Sequence, residues 1–261
     1  DAYKEARFIP ASRHQAAADW VRELSALVGE DDDRVVRGRE QLRRSQGALA
    51  AAERLLQRFD DPAPMKLAEQ RRLAEAVRDA EDLQAIDQAA ADAHRQRLER
   101  EEANLQRLRA VCSGYDKVAS VTPAMRTALE QAVVLIGSDD EQVRRWLDKD
   151  TVVRSLQNGL AVLDRAEPLP ERVDEDLRSL QDLLGDADPD HRRWRGIVDE
   201  VRALRRDLAA LDLVEPLPAA AEAGVRRLAG LVGDGEADVR RWAGKLERVA
   251  ALKASLEASH T

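Results

Sequence analysis

Acidic side chains at alternate positions are the first candidates for chemistry in this chain. Asp186, Asp188 and Asp190 have the spacing that opens an EF-hand calcium loop, and Asp234, Glu236 and Asp238 imitate it. An EF-hand also needs glycine at its sixth position and a bidentate glutamate at its twelfth. These stretches offer His191 with Ile197, and Val239 with Lys245. Helix capping explains the acids without a metal, so neither a metal nor a cofactor is expected.

Nucleophilic and acid–base chemistry find less support. His14, His94, His191 and His260 are scattered, with no partner at ligand spacing. His191 occupies the place of Val143 and Val239 and reads as a tolerated helix residue. There is no serine elbow, glycine-rich phosphate loop or Cys–His pairing. Cys112 is the one cysteine, so no intrachain disulfide forms, which suits a reducing cytoplasm. No catalytic residue is assigned, and the chain is not expected to be an enzyme.

Arginine pairs remain. Arg145, Arg193 and Arg241 each precede a tryptophan early in an expected helix, where cations oppose the helix dipole. They are the candidate contacts for an acidic partner. A local account competes: Asp33 and Arg37, Asp140 and Arg144, Asp188 and Arg192, and Glu236 and Arg240 stand four apart in the favourable order. Local pairing is the simpler reading.

The elements that would position these residues repeat. The stretch from Leu135 through Gly137 to Trp146 returns as Leu183, Gly185 and Trp194, and again as Leu231, Gly233 and Trp242. The glycines are 48 residues apart, and a looser copy surrounds Gly29. A fixed period in this range marks a repeat architecture. The glycine suits a left-handed residue closing one helix, and the acids behind it suit the start of another. Ser138 with Glu141 fits a capping box, and Pro189 fits the first helical position after Asp188. Upstream, Val225, Leu228 and Leu231 or Val232 recur at helical spacing. Downstream, Val239, Trp242, Leu246, Val249 and Leu256 form an a/d-like stripe. Pro10, Pro123, Pro168 with Pro170, and Pro216 with Pro218 mark the boundaries.

The expected fold is therefore all-α: tandem helical hairpins of about 48 residues in an elongated array. The units read as 10–60, 61–115, 116–165, 166–213 and 214–261. The second is degenerate. Residues 65–111 lack glycine and proline, and Arg78 stands where the glycine should be. A second helix extended by about three turns is expected there, with one unbroken helix of about 70 Å as the alternative. The charged run from Arg95 to Glu102 reads as a solvated face. Phe8 and Ile9 read as a cover for the open end of the array, and the linker between Tyr115 and Pro123 as a hinge. The final residues from Ala258 are expected to fray.

Composition agrees. Charged residues make up 35% and aromatics 3%, the profile of long helices packed along narrow seams. The net charge of −8 argues against nucleic acid, and no apolar run is long enough to span a membrane. The first residues hold neither an initiating Met nor a signal core, so the chain reads as part of a longer polypeptide. One further expectation concerns the seams. Trp146, Trp194 and Trp242 lie nine after their glycines, opposite Ala128, Asp176 and Gly224 nine before. Around Gly29 the order inverts, with Trp20 before and Gly38 after. One indole is expected to fill each seam against a small residue, with Asp176 accepting from the Trp194 indole. The functional expectation is a non-catalytic scaffold or spacer that binds a protein of unknown identity, with self-association left open. The alternative is a regulatory arm of an effector domain outside this stretch.

Overall fold

A computed structural model of the chain describes residues 7–213, 217 and 220–259. Among the described residues there are ten α-helices and no strand. They are α1 (His14–Val28), α2 (Asp33–Leu56), α3 (Leu67–Asp82), α4 (Gln88–Cys112), α5 (Pro123–Leu135), α6 (Glu141–Leu160), α7 (Val173–Leu184), α8 (Pro189–Leu208), α9 (Ala221–Val232) and α10 (Ala237–Ser259). Short 3-10 turns follow α2, α4, α6 and α8, at Gln57–Asp60, Ser113–Asp116, Ala161–Arg165 and Ala209–Asp212. Pro216, Pro218, His260 and Thr261, and the lead-in before Arg7, lie outside the described residues.

The repeated glycines close short helices. Gly29, Gly185 and Gly233 follow α1, α7 and α9 with φ of 92°, 81° and 85° and ψ of 162°, 169° and 151°. Positive φ agrees with the sequence reading, but the extended ψ does not. These residues occupy the region open essentially to glycine alone, not the left-handed helical one. At Gly233 a Cβ would also lie 2.6 Å from the Ala166 carbonyl oxygen.

The acids behind the glycines are caps. Asp32, Asp140, Asp188 and Glu236 each stand three after a glycine. Asp32 accepts from the Arg34 N–H, Asp140 from those of Gln142 and Val143, Asp188 from Asp190 and His191, and Glu236 from Asp238 and Val239. Such a cap is worth about 1 kcal/mol per helix. The expected capping box of Ser138 and Glu141 is thereby corrected. Because α6 begins at Glu141, the cap is Asp140. Pro189 opens α8 behind the Asp188 cap, as its fixed φ favours.

The chain divides into two compact units: residues 1–111 with 128–143, and residues 112–127 with 144–261. In the first, α2 lies on α3 through the small residues Ala52, Ala76 and Ala80, which let the backbones approach closely. Phe59, Met65, Leu73, Val77 and Ala91 form the neighbouring core. Phe8 and Ile9 are buried. The Ile9 N–H donates to Ser45 Oγ on α2, and the Ala11 N–H to the Leu83 carbonyl.

Two expectations for this unit are corrected. Residues 65–111 hold two helices, and the chain turns at Gln84 (φ 53°), beyond Arg78. The extra length is shared between α3 and α4. At 25 residues, α4 hardly exceeds the 24 of α2, so no three-turn extension exists. The charged run is also no purely solvated face. Arg95 pairs with Glu81 and Asp92, Arg97 donates to the carbonyls of Phe59 and Asp61, and Glu101 accepts the Met65 N–H.

In the second unit the core repeats itself. One cluster holds Val153, Leu160, Leu163, Val173, Leu177, Leu180, Leu184 and Trp194. Adding 48 to each number gives Val201, Leu208, Leu211, Ala221, Val225, Leu228, Val232 and Trp242, all members of the next cluster. Ile197 and Leu169 pack against both. Each fully buried aliphatic side chain contributes about 1.5–3 kcal/mol. On α10 the stripe leaves the core after Leu246, and Leu252 and Leu256 are 70% and 64% exposed. The expected hinge is fastened within this unit, where Ser120 donates to Asp188 and Lys149 to the Lys117 carbonyl.

The His94 ring stacks on Phe59 with centroids 4.2 Å apart. Burial there holds the imidazole below the ordinary histidine range, against an opposing pull from Asp60. The unfolded chain then binds more protons than the folded one in this window. His94 therefore favours folding above the unfolded value of about 6.5, and that contribution is lost as pH falls. Melting temperatures at about pH 7.5 and about pH 5 should fall further on acidification for the wild type than for His94→Gln. Equal falls would reject the assignment.

Candidate interaction site

A junction recurs where α4, α6 and α8 end. The 3-10 turn buries an apolar residue, Tyr115, Leu163 or Leu211, and the next residue is Asp116, Asp164 or Asp212. The tryptophan on the next long helix donates its indole N–H to that aspartate. Trp146 reaches Asp116 at 3.1 Å, Trp194 reaches Asp164 at 3.1 Å, and Trp242 reaches Asp212 at 3.0 Å. Every pair is 30 residues apart in sequence.

A cation completes the junction. Lys149 donates to the carbonyls of Tyr115 and Lys117 at 2.9 and 2.6 Å, and Lys245 to those of Leu211 and Leu213. Carbonyls at a helix C-terminus lack intrahelical partners and carry the negative end of the dipole, so an ammonium suits them. Burial pulls Lys149 below the ordinary lysine range, against the Asp116 charge. In the first unit Arg97 holds the corresponding carbonyls of Phe59 and Asp61. At the remaining junction Ile197 takes the lysine's place, and Ala166 closes that turn at φ 51°.

The candidate arginines belong to this arrangement. Arg193 pairs with Asp164 at 3.0 Å and Asp190 at 3.2 Å, and its guanidinium lies 5.3 Å from the Trp194 ring centre. Arg241 pairs with Asp212 and Asp238 and lies over Trp242. Arg145 is exposed. Of the expected local pairs, Asp33–Arg37 stands at 3.6 Å between exposed side chains. Asp140 meets Arg109, Asp188 accepts from Ser120, and Glu236 accepts from Arg205. The acids of the turns therefore hold the preceding long helix or loop as well as capping their own helix.

The seam expectation is corrected in part. The Trp194 indole goes to Asp164, not Asp176, and the nearest atoms to Gly224 belong to Leu208 on α8. Tryptophans 194 and 242 face the previous helix end because an indole N–H must find an acceptor when its ring is buried. Trp20 does lie against Gly38, where a Cβ would stand 3.2 Å from its ring. It is, however, 53% exposed and fills no buried seam.

The aspartates 116, 164 and 212 escaped the sequence reading although they too are 48 apart. Asp150 escaped it as well. It is buried where the period elsewhere gives Val198 and Leu246, and accepts from Tyr115 Oη at 3.1 Å, Arg126 Nε at 3.2 Å and Arg154 Nε at 2.6 Å. Burial and the neighbouring carboxylate hold the Tyr115 hydroxyl protonated, and burial pushes the Cys112 thiol up to about 11. Neither is a nucleophile at neutral pH. Among the described residues no three potential ligand side chains converge as a metal site. No helix of the described chain is long and apolar enough to cross a membrane. Compared with known family models, curated proteins and solved structures, the chain matches none.

Two stability measurements follow. Asp164→Ala should cost about 1–2 kcal/mol, since a half-exposed charged acceptor is lost to two donors. In a double-mutant cycle with Trp194→Phe, a coupling of about 0.5–1.5 kcal/mol is expected, and strict additivity would refute the junction. His191 is buried and neither ring nitrogen has a hydrogen-bond partner, whereas its counterparts are Val143 and Val239. His191→Val should therefore raise stability by about 1 kcal/mol in denaturant titration. A loss of stability would show that the imidazole is favoured where it lies.

Proposed function

We propose that the chain is a tandem array of five helical hairpins, bounded as 10–60, 61–115, 116–165, 166–213 and 214–261, serving a larger protein as a non-catalytic scaffold or spacer. The observation that supports it most is the junction itself, an Asp–Trp bond returning every 48 residues with a lysine on the turn carbonyls at two of its three copies. A unit that bonds chiefly to its neighbours extends by addition, and its side chains are spent on holding the next unit. The conspicuous charged groups serve caps and junctions, so what the array offers a protein partner is its exposed helix faces.

Removing residues 166–213 deletes one period and sets Trp242 thirty positions after Asp164. This variant should melt cooperatively with undiminished helix content per residue. A control deletion of about forty residues, which falls eight short of the period and rotates the following helices off their seams by about 80°, should not. Two deletions behaving alike would count against the array. The scaffold role further requires a protein that binds the isolated chain saturably and without being altered. A chain that binds no protein saturably would remove that role.

A further inference from the structure

We infer that the turn of one hairpin clamps the segment leading into the hairpin before it, so that the second unit works as a stiff spacer and not as a string of jointed hairpins. The best-defined clamp lies on residues 117–122, which lead into α5. They are held by the α7–α8 turn. Ser120 Oγ donates to Asp188 at 2.7 Å, a charge-assisted bond whose acceptor is only 3% exposed. Val121 packs into the cluster that holds Leu177, Leu180 and Trp194. A Cβ on Gly185 would stand 3.5 Å from Val118 Cγ1 and 3.6 Å from the Val118 carbonyl oxygen.

The arrangement returns 48 residues later. Residues 166–172 lead into α7, and the α9–α10 turn holds them. Leu169, in the place of Val121, packs against both apolar clusters of the unit. Ala166, in the place of Val118, puts its carbonyl oxygen where a Cβ on Gly233 would come within 2.6 Å. Pro168 and Pro170 fix two φ angles of the segment. In the first unit the segment before α1 is held in the same way, since the Ala11 N–H donates to the Leu83 carbonyl at the α3–α4 turn. The α5–α6 turn is the exception, for a Cβ on Gly137 would meet only Asp139.

A hairpin attached at one place can pivot about it, and a second attachment to a different segment removes the pivot. Both later hairpins have two. Trp194 is bonded to Asp164 on the turn behind α6, while Asp188 is bonded to Ser120 on the segment ahead of α5. The two attachments are six residues apart on the chain, about 9 Å of helix. Trp242 is bonded to Asp212 behind α8, while Gly233 abuts Ala166 ahead of α7. Hinges work through a few linker residues that absorb large changes of φ and ψ. Here those residues lie against the next turn. Bending at 166–172 requires Gly233 to lift off Ala166 and Leu169 to leave two apolar clusters at once.

The clamp rests on the hairpin array proposed above and adds stiffness to its role as a spacer. Pulsed dipolar spectroscopy of the full chain tests it, with nitroxides at exposed positions of α6 and α9 through Ser155→Cys and Ala223→Cys. Cys112 is buried, with its thiol pushed up to about 11, and stays unlabelled. The labelled parent should give one narrow distance peak. Gly233→Ala should broaden that peak at least about twofold, by driving a Cβ into the Ala166 carbonyl. Gly185→Ala carries similar backbone strain without the clash and should broaden it less. Leu169→Ala should act as Gly233→Ala does, and it settles the question where Gly233→Ala does not fold. Independently, Ser120→Ala should speed tryptic cleavage after Lys117 at least about threefold with unchanged melting. A broad or split peak in the parent overturns the clamp. So do Gly233→Ala and Leu169→Ala peaks no broader than that of Gly185→Ala, or cleavage indifferent to Ser120→Ala. If the 48-residue deletion still folds in that event, the array stands and only its stiffness falls.

Discussion

An α-helix that ends inside a protein leaves carbonyls with no partner, and each must be answered. In this chain most of the answers come from the next long helix. Lys149, Lys245 and Arg97 reach back to the carbonyls of a 3-10 turn, and the indoles of Trp146, Trp194 and Trp242 reach the aspartates of those turns. The period follows from this requirement. From Asp164 to Trp194 the chain must run through a loop, one short helix, a glycine turn and the first turns of a long helix. From Trp194 to Asp212 it runs 18 residues, about five helical turns. A whole number of turns brings the next aspartate round near the tryptophan's own side of the helix. A change of two residues in that interval would swing the aspartate by about 200° and leave the next indole without its acceptor.

The glycine turns impose the second constraint. Positive φ with extended ψ sends the chain out of the short helix so that the acid three residues on meets the N-terminus of the long one. That acid is used twice. Glu236 caps α10 and accepts from Arg205 of α8, and Asp188 caps α8 and accepts from Ser120. A carboxylate at a helix N-terminus is already favoured by the dipole, so a second partner adds to an ordered acceptor at small entropic cost. This double use accounts for the acids three residues after the glycines.

Much of this was legible in the sequence because it lies in local rules. The all-helical class, the glycine positions, the buried Val225–Leu228–Val232 face and the Pro189 start follow from periodicity, caps and fixed φ. What escaped depends on partners about 30 residues away. Nothing near Asp164 announces an indole acceptor, and a search within the hairpin placed the Trp194 partner at Asp176 instead of across the junction. The turn at Gln84 was hidden for a different reason. With no glycine available, a polar side chain adopts positive φ there, held by the Ala85 N–H to the Ala80 carbonyl. The charged run of α4 misled because Arg95, Arg97 and Glu101 look like any solvated face until their partners on other segments are known.

Two apolar clusters that match at a spacing of 48 residues carry a hazard of their own, since a helix that fits one nearly fits the other. The apolar clusters of the second unit give little discrimination, because Leu160, Leu177 and Leu180 differ from Leu208, Val225 and Leu228 by a single methylene. The polar exceptions discriminate. Asp150 is satisfied by Tyr115, Arg126 and Arg154, the first two of which lie outside its own helix. Shifted by one period, its carboxylate would keep Arg154 of its own helix but meet Leu163 and Asp174 in the places of Tyr115 and Arg126, and a buried charge that loses its partners is destabilising. Ile197 acts in the opposite sense, since an apolar residue where Lys149 and Lys245 cap carbonyls suits only the turn closed by Ala166. Departures from the 48-residue spacing therefore fix the register that the matching apolar residues leave degenerate.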